Sequence, residues 1–160
     1  MDLSDPAADE QIADPLIRRF VRYWRERRGN ACCPSRADLD PLDFRYVLGD
    51  VVLTEVQRAP PSSPHPWAFR YRLIGANIAE RDGYDLTYKT LEDLPEPEFR
   101  EQVRATWTAV CETCVPVYYN RDMTLDDRTR RYEVVVMPLS SNGRDLDMLI
   151  SVRRQARGAA

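Results

Sequence analysis

Residues 117–153 read VYYNRDMTLDDRTRRYEVVVMPLSSNGRDLDMLISVR, and this stretch decides the fold. Three strands can be drawn through it: Val117 to Leu125, Arg130 to Leu139 and Leu146 to Arg153. Asp126-Asp127 marks the first turn. Ser141-Asn142-Gly143 marks the second, a hairpin signal because asparagine and glycine tolerate the left-handed backbone of tight turns. Val134, Val135, Val136 and Met137 stand in a row. Successive strand side chains point to opposite faces, so a strand apolar at every position must be covered on both.

The covers are found upstream. A long helix is predicted from near Pro95 to Cys114, where Pro116 forbids continuation. Its apolar stripe is Phe99, Val103, Trp107, Val110 and Cys114. Thr90 to Leu94 and Asn77 to Asp82 each read as a short helical piece, the latter stopped at Gly83. Two more strands precede these, Val51 to Gln57 and Trp67 to Ile74. The connection Ala59 to Pro66 holds four prolines and two serines and reads as a loop. In the second strand Phe69, Tyr71 and Leu73 alternate with Arg70 and Arg72. The class is α+β: a five-stranded antiparallel sheet with helices on one face.

The N-terminal part supplies a cover for the other face. Asp14-Pro15 is a helix start, an N-cap acceptor followed by proline at the first helical position. The helix runs to about Arg28 and stops at Gly29-Asn30. Leu16, Ile17, Phe20, Val21 and Trp24 form its stripe, with Arg18, Arg19, Arg22, Arg25 and Arg28 mostly off it. That stripe is wide for a helix covering one sheet face, so the same residues predict a homodimer. Asp40-Pro41 repeats the cap-then-proline signal and predicts a short helix over 42–48. The division read from the sequence is a disordered acidic tail over 1–13, a helical extension over 14–48, the sheet domain over 49–154 and a C-terminal tail over 155–160.

A chain of 160 residues with 43% hydrophobic content can bury a core without crosslinks. A net charge of -3 argues against a dedicated nucleic-acid binder. Lys89 is the only lysine, which is the mark of a GC-rich genome. No apolar run approaches the ~20 residues that cross a bilayer. The start lacks the basic and apolar stretches of a signal peptide, so the expected location is cytoplasmic and the expected state of the four cysteines reduced.

The order strand, strand, helices, strand, strand, strand resembles the PAS fold. The matching residues are Tyr23-Trp24, Pro34-Ser35-Arg36-Ala37-Asp38-Leu39-Asp40-Pro41, Phe69-Arg70-Tyr71-Arg72-Leu73-Ile74-Gly75, Gly83-Tyr84-Asp85-Leu86-Thr87 and Met137-Pro138-Leu139-Ser140, with Asn142-Gly143 and Asp147. Together they are similar to a family of small stand-alone PAS-like proteins of proteobacteria. Two positions depart from that pattern: Ala76 stands where threonine is usual and Tyr88 where glycine is usual. Both flank the expected pocket, so no family ligand is carried over. The resemblance implies a signalling or regulatory role and transfers no catalytic residue.

Individual motifs add little chemistry. Cys111-Glu112-Thr113-Cys114 lies at a helix C-terminus, where the helix dipole raises thiol pKa values, so packing is the expected role. Cys32-Cys33 with Cys111 and Cys114 has poor spacing for a zinc site. His65, the sole histidine, lies in a proline loop unsuited to a haem ligand. No serine sits in an elbow motif, and 75–86 lacks the cysteine of a flavin-adduct photosensor. No metal or cofactor is therefore expected. Tyr71, Leu73, Tyr84, Trp107 and Met137 are the candidate pocket residues. Arg70 and Arg72 are candidates for an anionic ligand or partner, against simple pairing with Glu55. The leading function is a non-catalytic cytoplasmic module that senses a small ligand or docks to a signalling protein. The alternative is a small α+β enzyme using Tyr84 and Asp85, with Asp82, as acid–base groups at the pocket mouth.

Overall fold

A computed structural model describes residues 3–125 and 127–157. Helix α1 (Pro15–Arg28) comes first. Strands β1 (Val51–Arg58) and β2 (Trp67–Ile74) follow, then α2 (Ala76–Asp82) and α3 (Pro97–Thr113). Strands β3 (Val117–Leu125), β4 (Arg128–Leu139) and β5 (Met148–Gln155) complete the chain. They form one antiparallel sheet in the order β2-β1-β5-β4-β3. The last strand thus lies between β1 and β4, so Val136 faces Ser151 on one side and Val117 on the other.

Local chemistry explains the boundaries. The Asp14 carboxylate accepts hydrogen bonds from the backbone N–H of Leu16 (2.8 Å) and Ile17 (3.3 Å), and Pro15 fills the first helical position. Helix α3 ends at Cys114, which adopts the left-handed conformation at φ 56 before Pro116. Gly75 separates β2 from α2 because a Cβ there would lie 2.3 Å from the Gly49 carbonyl oxygen.

The sheet separates two cores. On one face α1 buries Ile17, Phe20, Val21 and Trp24 against Val51, Leu53, Val135, Met137, Ile150 and Val152. On the other, α3 packs Val103, Trp107 and Val110 against Phe69, Tyr71, Val134 and Val136. The valine row of β4 is divided between the two, as its alternation requires.

Four expectations need correction. First, residues 3–13 are not a disordered tail. A 3-10 helix spans Pro6–Gln11, and Leu3 and Ile12 are fully buried beside α1. Burial raises the pKa of the Asp9 carboxyl, but hydrogen bonds from Arg25 and Arg22 outweigh it and hold the group below its ordinary value. Met1 and Asp2 lie outside the described residues. Acidic composition hid this segment because its partners are the α1 arginines, at 2.8 Å (Arg22) and 2.9 Å (Arg25). Second, 42–48 is not a helix but lies across two 3-10 turns, Pro41–Phe44 and Leu48–Asp50. Third, the proposed dimer stripe is occupied inside the chain: Ile17, Phe20, Val21 and Trp24 have no exposed surface, and Leu16 is partly buried. Of the two covers foreseen for α1, the chain's own sheet is the one observed. Fourth, the C-terminal segment pairs through Gln155, and Ala156 N–H donates to the Arg131 carbonyl at 2.8 Å. Residues 158–160 of the expected tail lie outside the described residues.

Candidate functional site

A cavity of about 60 Å³ remains between the sheet, α2 and α3. Its walls come mainly from one side of each strand and from α3. Trp107 is the central ring, edge-on to Phe69 (5.3 Å between centroids) and Tyr71 (5.6 Å). Burial pushes the Tyr71 phenol above its ordinary value, so it stays neutral. This volume is well below the ~300 Å³ at which drug-sized pockets begin.

Charged groups also reach this apolar space. Asp82, on the last turn of α2, accepts from Arg153 of β5 at 2.6 Å, and both side chains are more than nine-tenths buried. Arg153 Nη1 also lies 3.5 Å from Met123 Sδ, while its Nε is buried without a hydrogen-bond partner. Arg121 of β3 lies over the rings of Tyr119 (4.9 Å) and Phe99 (5.1 Å). Its partly buried guanidinium has no hydrogen bond or ion pair among the described residues. Burial, then the neighbouring Arg153 charge, hold it below the ordinary guanidinium value. At the rim Tyr84 donates to Glu96 Oε2 at 2.9 Å, and burial followed by that bond raises its pKa.

Three of the five predicted pocket residues, Tyr71, Tyr84 and Trp107, line this cavity. Leu73 does not. A β-bulge between Leu53/Thr54 and their partners leaves Arg72 unmatched in the register, which shifts the pleat by one residue. Leu73 then sits 40% exposed, and Ile74 takes the cavity position. Met137 is also elsewhere: it alternates with Val136 and is buried under α1.

Arg70 and Arg72 are exposed, and Arg72 approaches Glu55 at 3.9 Å with both groups in solvent. Such a pair adds little stability. Asp85 does not line the cavity. Its carboxylate accepts from Thr87 Oγ1 (2.6 Å) and Thr87 N–H (2.9 Å), which lower its pKa. The four cysteines are free thiols. Cys114 donates not to Cys111 but to Cys33, with 4.0 Å between sulfurs. Burial pushes the Cys111 thiol up to about 12. Among the described residues no three histidine, cysteine or acidic side chains converge as metal ligands.

Sequence reading missed Arg121, Arg153 and Tyr119 as cavity residues. The available signal was the alternation Val117, Tyr119, Arg121, Met123 on one face of β3. Two neighbouring arginines, Arg153 and Arg154, point through opposite faces of the sheet. Arg154 pairs with Asp14 and Asp50, each at 2.7 Å, and so ties β5 to the first turn of α1. Glu133 strengthens the same corner, accepting from Asp14 N–H at 3.0 Å and from the Tyr118 hydroxyl.

A family model described as "PAS domain" matches residues 13–151. Among solved structures, the PAS domain from Bordetella pertussis BvgS is similar at a TM-score of 0.55 with 17% identity, covering 76% of this chain and 90% of that one. The PAS domain of a protein from Colwellia psychrerythraea reaches 0.47 with 14% identity, covering 72% and 97%. The first of these supports the fold. No curated protein matches.

Proposed function

The chain belongs to the PAS-domain family, and on that premise we propose that it is a cytoplasmic regulatory module whose cavity under α3 takes a small molecule. The observation that carries this reading is an incompletely filled interior containing charged groups, a combination a purely structural core avoids. Binding would bias the packing of α2 and α3 on the sheet and so alter a surface read by a partner protein. PAS domains are in general sensory and not catalytic, and the reading includes no reaction. Tyr84 is held protonated and Asp85 faces solvent, so neither is poised as a general base near neutral pH. Among the described residues no helix is long and apolar enough to cross a membrane.

Docking without a ligand is the second reading, favoured by the small size of the cavity. Leu73 and Tyr88 (61% exposed) present apolar surface beside Arg72. A homodimer would have to use a surface of that kind, because the α1 stripe is already covered. The test is a small-fragment screen of the intact chain by NMR. Shifts concentrated on Trp107, Tyr71 and Tyr119 support ligand sensing. Shifts confined to the α1 face or to surface loops would sink it.

A further inference from the structure

The charges around the cavity do not balance. Arg121 and Arg153 bring two cations, and Asp82 brings one anion already held by Arg153 at 2.6 Å. Other acidic groups are engaged elsewhere. Glu96 accepts the Tyr84 hydroxyl at the rim. Asp122, the next residue along β3, pairs with Arg131 at 3.8 Å. Arg121 is left with two ring faces and no anionic partner among the described residues. The Arg121 guanidinium is only partly buried, so solvent meets part of its charge and the two rings offset part of the rest. Arg153 adds a buried Nε–H with nothing to donate to.

We propose that the cavity takes a small monocarboxylate, its carboxylate between Arg121 and Arg153 and its apolar tail against Trp107 and Val103. This rests on the reading of the cavity as a ligand site. Each part of the assignment has a separate reason. A single negative charge neutralises the one uncompensated cation, whereas a dianion would leave an excess charge in a low-dielectric space. The guanidinium fork matches a planar carboxylate, which can satisfy both Arg121 and the open donor of Arg153. The remaining walls are apolar and aromatic, so the tail must be too. The volume of about 60 Å³ limits it to a few carbons or a ring that displaces side chains on entry.

The test is titration of the full chain with propionate, butyrate and benzoate, each paired with its own primary amide, read by calorimetry and by the Trp107 indole resonance. The expected result is that at least one acid binds ten or more times tighter than its amide and shifts Trp107. Arg121→Gln should bring that ratio close to one by weakening the acid far more than the amide, and Arg121→Lys should retain part of it. Arg121→Met, which keeps the stem packed on Phe99 and Tyr119, repeats the measurement should the glutamine variant fold poorly. Equal binding of acid and amide would overturn the carboxylate assignment but leave the cavity as a ligand site. A ratio that survives loss of Arg121 would overturn it too. Failure of every acid and amide to bind would overturn this inference, while the fragment screen decides the sensing reading beneath it.

Discussion

Under α1 the sheet is covered by a continuous apolar cluster, and under α3 it keeps a cavity reached by charged groups. The α1 face is closed by aliphatic and aromatic side chains, with Trp24 fully buried and its indole N–H given to the Pro138 carbonyl at 3.1 Å. Its charged groups sit at the edge, where Arg154 joins Asp14 to Asp50. The α3 face has a comparable set of apolar residues but admits Asp82, Arg121 and Arg153 and keeps a cavity. One sheet therefore carries a face specialised for stability and a face that tolerates vacancy and charge. Selection for packing alone would favour the first arrangement on both sides.

Substitutions can break or sharpen this contrast, beginning with the largest effect. Trp24→Ala should cost roughly 3–5 kcal/mol, read by denaturant unfolding, because a fully buried ring leaves a hole in the tight face. A cost below about 1 kcal/mol would mean that α1 is not a structural cover of the sheet. Asp82→Asn should cost about 3 kcal/mol, since Arg153 would lose its buried partner. Under the charge argument, added carboxylate should stabilise this variant more than the native protein.

A matched pair of enlargements compares the faces directly. Val135→Leu points under α1 and should cost about 1–3 kcal/mol through overpacking, whereas Val136→Leu points into the cavity and should cost less than about 1. Equal costs would show that the two interiors are equally full. A smaller effect tests the N-terminal segment by pH. The folded pKa of Asp9 is lowered, so its contribution is present above the unfolded value of ~3.9 and is lost as pH falls through the folded one. Asp9→Asn should remove about 1 kcal/mol at pH 7 and flatten the acid side of the stability profile. The smallest effect is Arg72→Ala, within about 0.5 kcal/mol, because its pairing with Glu55 is exposed on both sides.

The candidate site was readable in proportion to how local its signals are. Tyr71 and Trp107 were found because a strand alternation and a helix stripe each place an aromatic residue inward. Leu73 was misplaced because a bulge reverses the alternation after Tyr71, and a bulge is set by pairing with β1 and not by the β2 sequence. Met137 was misplaced because a strand apolar on both faces does not say which face holds the cavity. Residues 3–13 were misread for a related reason: acidic segments look solvated until the arginines that meet them are known.

Strand and helix periodicity, the Asp14-Pro15 cap and the turn at Ser141-Asn142-Gly143 determined the element order and the α+β class by themselves, because each depends on neighbours within a few residues. The tertiary structure alone decided the insertion of β5 between β1 and β4, the use of α1 as an internal cover and the meeting of Arg121, Arg153 and Asp82 around one cavity. These depend on which distant segments lie side by side. Asp82 and Arg153 are 71 residues apart in the chain, and only their desolvation together makes them a site.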